Sequence, residues 1–149
     1  MNVGQVCNRE VIVVSRDTSI LKACQLMRQF HVGALLVADE RDGQRYPVGI
    51  LTDRDIVVEL LADNLDLERL NIGDAMSFEL LIAEEHEDLL VTIKRMRSRG
   101  VRRMPVVSRE GVLIGLLAVD DMIELLAEQL TDLVKLIANE QDRERRIRG

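Results

Sequence analysis

Apolar residues form short continuous runs along the chain, and the order of these runs repeats. The runs with strand character are residues 11–14, 34–38 and 48–51 in the first half, and 80–83, 104–107 and 112–117 in the second. Runs of this length that do not alternate with polar residues are typical of strands covered on both faces. The pattern therefore predicts two small sheets buried beneath other elements.

Each half also contains a helical pattern between its first and second strand runs. Apolar residues spaced by four and three lie on one helix face; they are Ile20, Cys24 and Met27 in the first half, and Leu89, Ile93 and Met96 in the second. Polar residues 15–19 precede the first of these helices and are suited to cap it. Another helix closes each half, beginning near Asp55 and near Asp120. Each half is thus a βαββα unit, and the chain is predicted to have an α+β (α/β-like) fold.

The two halves are copies of one unit. Residues 2–7 align with residues 71–76, an offset of 69 positions (71 − 2), and residues 48–51 align with 114–117 at an offset of 66 (114 − 48). The first copy therefore has three extra residues, which we place in a turn within the polar stretch 40–47. The predicted organisation is a first repeat (1–63), a linker (64–70), a second repeat (71–127) and a helical extension with a charged tail (128–149).

The extension continues the last helix with a heptad-like seam. Its apolar residues are spaced by three and four, and they are Ile123, Leu126, Leu130, Leu133 and Ile137. Residues 140–149 are highly charged and are expected to fray, or to dock on a partner only in an oligomer.

Composition and charge narrow the classes of function. The 149 residues are 47% hydrophobic, 31% charged and only 2% aromatic, and the formal net charge is −6. A globular chain with an aliphatic core is expected, while the acidic balance and the scarcity of aromatic side chains disfavour nucleic-acid binding. We find no apolar run long enough to span a membrane and no signal peptide. Cys7 and Cys24 fit neither a disulfide framework nor a zinc site, so no metal is predicted and a cytoplasmic protein is expected.

The sharpest local motif lies where a strand passes into a helix, at residues 49–55. Asp55 could accept hydrogen bonds from both hydroxyls of a ribose, and Thr52 could bind a phosphate oxygen beside the helix N-terminus. The same two residues also fit a capping box, which the motif alone favours. In the second copy Asp121 is retained, but Ala118 replaces the hydroxyl residue.

A pair of arginines enters the second copy's apolar strand at Arg102 and Arg103. Such a pair is usually solvated at an exposed strand end, but it can also clamp a phosphate. Gly33 and Ala34 are the corresponding residues of the first copy. His31 and His86 are interpreted as surface or helix-end residues, and we find no catalytic motif, so the protein is not expected to be an enzyme.

Taken together, the repeat, the Gly-h-h-Thr-x-x-Asp turn and the Val-Arg-Arg-Met-Pro-Val strand resemble a tandem pair of CBS domains, also called a Bateman module. The resemblance covers residues 2–127, and it is closest to the small stand-alone members. It implies two repeats packed with pseudo-two-fold symmetry, two clefts for adenosine compounds, and a homodimer.

Residue by residue, the resemblance implies two ligand sites. Site one combines Thr52, Arg54, Asp55, Leu81, Ile82, Ala83, Arg102, Arg103, Met104 and Pro105. Site two combines Val13, Val14, Thr18, Gly33, Ala34, Ala118, Asp120 and Asp121. Because it has both the hydroxyl and the arginines, site one is predicted to bind the phosphate, and site two is predicted to be weaker.

The function implied is a regulatory, energy-sensing module that binds AMP, ADP or ATP, with NAD and S-adenosylmethionine as alternatives and no cofactor required. A ligand that bridges the two repeats would stabilise one relative arrangement of them, and this change would be passed to an unidentified protein target. Two other readings stay open. One is a dimerisation or interaction scaffold with vestigial sites, and the other is nucleic-acid binding through the arginine-rich tail.

Overall fold

The computed structural model describes residues 1–76 and 80–148. It contains two three-stranded sheets and six helices within these residues. In chain order the elements are α1 (Val3–Val6), β1 (Val13–Val14), α2 (Ile20–Phe30), β2 (Ala34–Arg41), β3 (Gln44–Thr52), α3 (Asp53–Asp55), a π-helical segment (Ile56–Leu61), α4 (Ile72–Ala75), β4 (Ala83–Glu84), α5 (Leu89–Arg99), β5 (Arg103–Val107), β6 (Leu113–Ala118) and α6 (Val119–Arg148). The α+β prediction is confirmed.

The two sheets have the same topology, which confirms the repeat. In each, a short first strand pairs parallel to the second, and the second pairs antiparallel to the third: β1-β2-β3 and β4-β5-β6. Each antiparallel pair has an irregularity at the same place, between Val37 and Ala38 and between Val106 and Val107. The first strands are shorter than the predicted runs, because ladder pairing covers only two residues in each.

The polar stretch 40–47 is mostly strand, which corrects the predicted turn. Arg41 pairs with Gln44, and only Asp42 and Gly43 form the turn, with φ values of 52° and 77°. An Asp-Gly pair with positive φ at both positions forms the tight hairpin that matches the twist of its strands. The three extra residues of the first repeat therefore lengthen this hairpin, where the Arg41 guanidinium stacks on the Tyr46 ring.

The N-terminal arm, residues 1–8, packs on the second repeat rather than the first. Val3 is fully buried in the second repeat's core, and Gly4 donates its backbone N–H to the Glu85 carbonyl at 2.8 Å. Asn8 and Leu116 exchange two backbone hydrogen bonds, each 2.9 Å long.

The equivalent segment at the start of the second repeat packs on the first repeat. Ile72 and Met76 are buried in the first repeat's core, and the Ile72 and Gly73 amides donate to the carbonyls of Thr18 and Arg16. This exchange binds the repeats together, because each core is completed by the first residues of the other repeat.

The predicted helices form, and their ends follow the predicted polar residues. The Ser19 side chain accepts from the Lys22 amide and caps α2. The last helix, α6, is continuous to Arg148, so the charged residues 140–148 are helical. No helix among residues 1–76 and 80–148 is both long and apolar enough to cross a membrane.

Candidate functional site

The main candidate site is a cleft of about 690 Å³ between the repeats, which we call the inter-repeat cleft. Its lining residues are Asn8, Arg9, Glu10, Val11, Ile12, Phe30, His31, Val32, Gly33, Ala34 and Leu36 from the first half and Arg103, Leu116, Ala118, Asp120 and Asp121 from the second. About half of the wall is apolar, and charged side chains of both repeats converge on it. This combination is typical of a small-molecule site of nucleotide size.

Arg103 supplies a cation at this cleft. It is the first residue of β5 and pairs across the sheet with Ala118 at the end of β6. The neighbouring Met104 side chain is buried in the second core. Because side chains alternate along a strand, Arg103 faces away from that core and towards the cleft. Arg103 forms no ion pair with the residues that the structure describes.

Arg102, in contrast, is engaged within its own repeat. Its Nη2 lies 3.4 Å from Asp120 Oδ1, with both side chains well exposed, and its carbonyl accepts the Val119 amide at the start of α6. The equivalent place in the first repeat is occupied by Gly33, whose carbonyl accepts the Asp53 amide. The Arg102–Asp120 pair partly offsets the negative charge that Asp120 brings to the cleft, since oppositely charged groups screen one another.

Thr52 and Asp55 form the capping box that the motif favours. Thr52 Oγ1 accepts from the Asp55 amide at 3.1 Å, and Asp55 Oδ2 accepts from the Thr52 amide at 3.2 Å. They do not line the inter-repeat cleft, and Arg54, between them, is exposed. Their structural role is shown, while their role in ligand binding stays a prediction.

A second pocket of about 390 Å³ is lined by Leu80, Leu81, Arg99 and Val101. At the repeat offset of 69 (80 − 11), these residues correspond to Val11, Ile12, Phe30 and Val32, all of which line the inter-repeat cleft. The two pockets are therefore pseudo-equivalent. The first is the larger, and it alone has charged residues of both repeats in its described wall.

The remaining residues of predicted site one lie mainly inside the second repeat. Ala83, Met104 and Pro105 are buried. Ile82 is partly exposed, and its carbonyl accepts from the guanidinium of Arg95. Arg95 also donates to both carboxylate oxygens of Glu87 at 3.2 Å. Sequence reasoning missed this arginine, because the first repeat has Leu26 at the same position.

Three residues of predicted site two lie apart from the others. Val13 and Val14 line a different cleft of about 480 Å³, beside Arg16 and Asp39. The reason is geometric: β1 runs parallel to β2, so Val13 and Val14 lie level with Leu36 and Val37, beyond Gly33 and Ala34. Thr18 lies before α2, where its carbonyl accepts from Ile72.

The Arg16–Asp39 pair dominates the electrostatics of that other cleft. Arg16 donates from Nε and Nη2 to the two carboxylate oxygens, at 2.8 and 2.7 Å. These hydrogen bonds hold the pKa of the Asp39 carboxyl below its ordinary value.

The two thiols are half-buried and unpaired by any disulfide. Burial raises the pKa of both Cys7 and Cys24, which keeps them protonated and poorly nucleophilic. Among the described residues no cluster of His, Cys, Asp and Glu is arranged to hold a metal ion.

Sequence reasoning missed some of the cleft's lining, including Arg9 and His31. His31 is the residue that ends α2, with φ 53° in the left-handed region, as the helix-end interpretation predicts. Its position on the cleft could have been inferred only by aligning it with Gly100 and knowing that the repeats face one another at this point.

The CBS domain family profile matches this chain twice, at residues 3–62 and 72–128. Hypoxic response protein 1 of Mycobacterium tuberculosis is 30% identical over 140 residues, which cover 93% of this chain and 91% of that protein. An uncharacterized protein of Methanopyrus kandleri is 29% identical over 125 residues, which cover 84% of this chain and 62% of that protein. The chain thus spans less than two thirds of the length of the second relative.

Solved structures have the same fold. A CBS domain protein from Pyrobaculum aerophilum complexed with AMP superposes with a TM-score of 0.74 at 20% identity, covering 88% of this chain and 99% of that one. A CBS domain pair in complex with 5′-methylthioadenosine and S-adenosyl-L-methionine also gives 0.74, at 22% identity, covering 87% and 98%. With two profile matches across most of its length and the duplicated topology described above, the chain belongs to the CBS domain family and contains a tandem pair of CBS domains.

Proposed function

We propose that the protein is a non-catalytic regulatory module that binds an adenosine nucleotide in the inter-repeat cleft. The observation that carries the proposal is the meeting of Arg103, Asp121 and an apolar wall in one cleft made by both repeats. AMP, ADP and ATP are the first candidates, with S-adenosylmethionine and NAD as alternatives. The adenosine compounds bound to related CBS pairs support this class of ligand.

Each part of a nucleotide has a matching group in the cleft. The Arg103 guanidinium presents a fork of donors suited to a phosphate. Asp121, in the first turn of α6, can accept from ribose hydroxyls. Val11, Ile12 and Val32 offer an apolar surface to the adenine ring. This arrangement favours phosphate binding at the second predicted site, whereas the resemblance favours the first.

Regulation would follow from where the cleft lies. Its walls come from β2 and the end of α2 in one repeat, and from β5, β6 and α6 in the other. A ligand that contacts both repeats favours the relative arrangement that it binds more tightly, and it shifts the population by that difference in affinity. Because Asp121 lies on α6, the shift reaches the long C-terminal helix directly.

The test is isothermal titration calorimetry together with thermal unfolding, using AMP, ADP, ATP, NAD, S-adenosylmethionine and a GTP control. A ligand at a hundred times its dissociation constant should stabilise the native protein by about 2.7 kcal/mol. The informative variants are Arg103→Ala and Asp121→Ala at the inter-repeat cleft, and Asp55→Ala at the first predicted site. Arg109→Ala and Asp132→Ala are matched controls, since both residues are exposed and neither lines the cleft.

We expect an adenosine compound to bind the wild type, with strong losses in Arg103→Ala and Asp121→Ala and none in the controls. Loss in Asp55→Ala alone would move the ligand to the first predicted site. If no compound binds, the nucleotide proposal is wrong and the scaffold alternative becomes the better account. Binding of RNA or DNA that weakens steeply with salt would instead favour the tail as a nucleic-acid site.

A further inference from the structure

A groove lies between the N-terminal helix α1 and the start of α6, and it has a volume of about 600 Å³. Its lining residues are Met1, Gln5, Val6, Asp121, Glu124, Leu125 and Glu128. A hollow of about 420 Å³ adjoins it along α6 and shares Glu124 and Glu128 with it. The two together extend along one side of α6 from Asp121 to Lys135, and we call them the α1–α6 groove.

The wall that α6 contributes to this groove is acidic. Its carboxylates are spaced by three and four residues and so share one helix face; they are Asp121, Glu124, Glu128 and Asp132. Residues 119–134 include no basic side chain. None of the four carboxylates forms an ion pair with a residue that the structure describes. Asp121 lies in the first helical turn, where the helix dipole favours a negative charge, but Glu128 and Asp132 lie beyond it.

The carboxylates of this face repel one another. Glu124 and Glu128 are one turn apart, as are Glu128 and Asp132, and like charges at that spacing destabilise a helix. Every residue from 126 to 148 is exposed, so tertiary packing within the described chain does little to offset the repulsion. A cationic partner on this face would remove it and stabilise the helix.

The floor of the groove is apolar. Val6 and Leu125 are half-buried, and Val6 packs against the second repeat's core. Met1 extends the apolar surface and is 60% exposed. A bare metal ion gains nothing from such a surface, and the part of the chain that the structure describes has no cluster of side chains arranged to hold one. A well-matched occupant therefore carries both cationic groups and an apolar side chain.

We propose that the α1–α6 groove binds a basic segment of a partner protein, in which Lys or Arg side chains flank an apolar one. The acidic face from Asp121 to Asp132 is about 16 Å long, which matches three turns of a partner helix or about five extended residues. A second copy of this chain is an unfavourable occupant, because its net charge is −6. Even its arginine-rich residues 140–148 carry three carboxylates beside four arginines, a net charge of +1 (4 − 3).

The groove differs from the two other surfaces of α6. Asp121 alone among its lining residues also lines the inter-repeat cleft, so the groove adjoins the proposed nucleotide site without being part of it. Leu126 and Leu130 of the apolar seam are each two residues from Glu128, which places them on the opposite side of the helix. The proposal does not depend on nucleotide binding.

Fluorescence anisotropy of the full chain with a labelled synthetic peptide tests the proposal. The probe is an amphipathic peptide of Leu and Lys, and its controls are a Ser/Lys peptide of the same charge and a Leu/Glu peptide. At physiological salt we expect the Leu/Lys peptide to bind, the Ser/Lys peptide to bind far more weakly, and the Leu/Glu peptide not to bind. Failure of the Leu/Lys peptide to bind, equal binding of the two lysine peptides, or equal binding of spermine would overturn the proposal.

Matched variants locate the bound peptide. Glu124→Gln/Glu128→Gln keeps the side-chain size and the helix propensity, and it should weaken Leu/Lys binding by about fivefold, since two exposed ion pairs are lost. Glu140→Gln/Glu144→Gln removes the same charge at the same spacing on the same helix, but outside the groove, and should leave the affinity unchanged. Leu130→Ser alters the seam and should also leave it unchanged. A loss in either control, or none in the groove variant, would place the peptide elsewhere and overturn the proposal.

Discussion

Gly115 packs so close to the backbone carbonyl of Asn8 that there is no room for a side chain at this position. A Cβ on Gly115 would overlap the Asn8 oxygen and come within 3.1 Å of Cys7 Sγ. Next to this contact, Asn8 and Leu116 exchange their two backbone hydrogen bonds. The glycine thus lets the N-terminal arm of the first repeat lie on the third strand of the second.

Gly115→Ala should therefore detach or displace the arm. We expect the free energy of unfolding to fall by about 1–3 kcal/mol, because a backbone oxygen cannot move away as a side chain can. Urea denaturation measures this loss. Gly33→Ala is the comparison, since its Cβ would lie 3.1 Å from the Asp53 carboxylate, which can rotate. Equal losses in the two variants would contradict this explanation.

The C-terminal ends of α2 and α5 offer a matched pair of substitutions. Both helices end in a left-handed residue, His31 with φ 53° and Gly100 with φ 66°. A side chain in that region costs about 1 kcal/mol relative to glycine. We expect Gly100→Ala to lower the free energy of unfolding by about 1 kcal/mol and His31→Gly to raise it by up to the same amount. Thermal unfolding without ligand checks both signs, and a stabilising Gly100→Ala would refute the argument.

The start of the last helix in each repeat offers a second matched pair of substitutions. Thr52 caps α3 through its capping box with Asp55, whereas Ala118 precedes Asp121 with no hydroxyl. Thr52→Ala should lower the free energy of unfolding by about 1 kcal/mol, and Ala118→Thr should raise it by a similar amount if it completes the same box. Chemical denaturation of both variants measures the two changes. Thr52→Ser keeps the hydroxyl and should stay close to the wild type.

The Arg16–Asp39 pair should make stability depend on pH. The pKa of Asp39 is lower in the folded protein, so its contribution is present above the unfolded pKa of about 3.9 and is lost as the pH falls through the folded value. The difference in unfolding free energy between the wild type and Asp39→Asn should shrink as the pH falls below about 4. The difference between the two proteins should be small at neutral pH and smaller still in high salt, because the Arg16 and Asp39 side chains are partly exposed. Glu40→Gln controls for the loss of one negative charge at this sheet edge, and a difference that grows in acid would contradict the assignment.

The duplicated order of elements could be predicted because each depends on neighbours in sequence. Ser19 caps α2, and the Ile20 and Met27 side chains lie on its buried face, as their spacing requires. The capping box of Thr52 and Asp55 is another local interaction that the sequence predicts in full. The polar stretch 40–47 predicts a longer turn than the hairpin at Asp42 and Gly43, since polar residues on an exposed hairpin resemble a loop.

The composition of the clefts could not be derived in the same way. Arg102 and Arg103 are adjacent in sequence, but Arg102 lies just before β5 and pairs with the exposed Asp120, whereas Arg103 begins β5 and lines the inter-repeat cleft. Arg95 has no counterpart in the first repeat, and its contacts with Glu87 and Ile82 depend on how α5 packs on the sheet.

Local patterns in the sequence predict two βαββα units, the order of their strands and helices, the resemblance to the CBS family and the apolar seam of the last helix. Periodicity, capping and internal repetition are short-range properties, so they are readable along the chain. The packing of the arm at residues 1–8 on the second core, and of Ile72 on the first, is visible only in the three-dimensional structure. The meeting of Arg103 and Asp121 with His31 and Gly33 in one cleft is likewise visible only there. These contacts join segments that lie far apart in the sequence, and their partners are selected by shape and by backbone hydrogen bonds that no local pattern specifies.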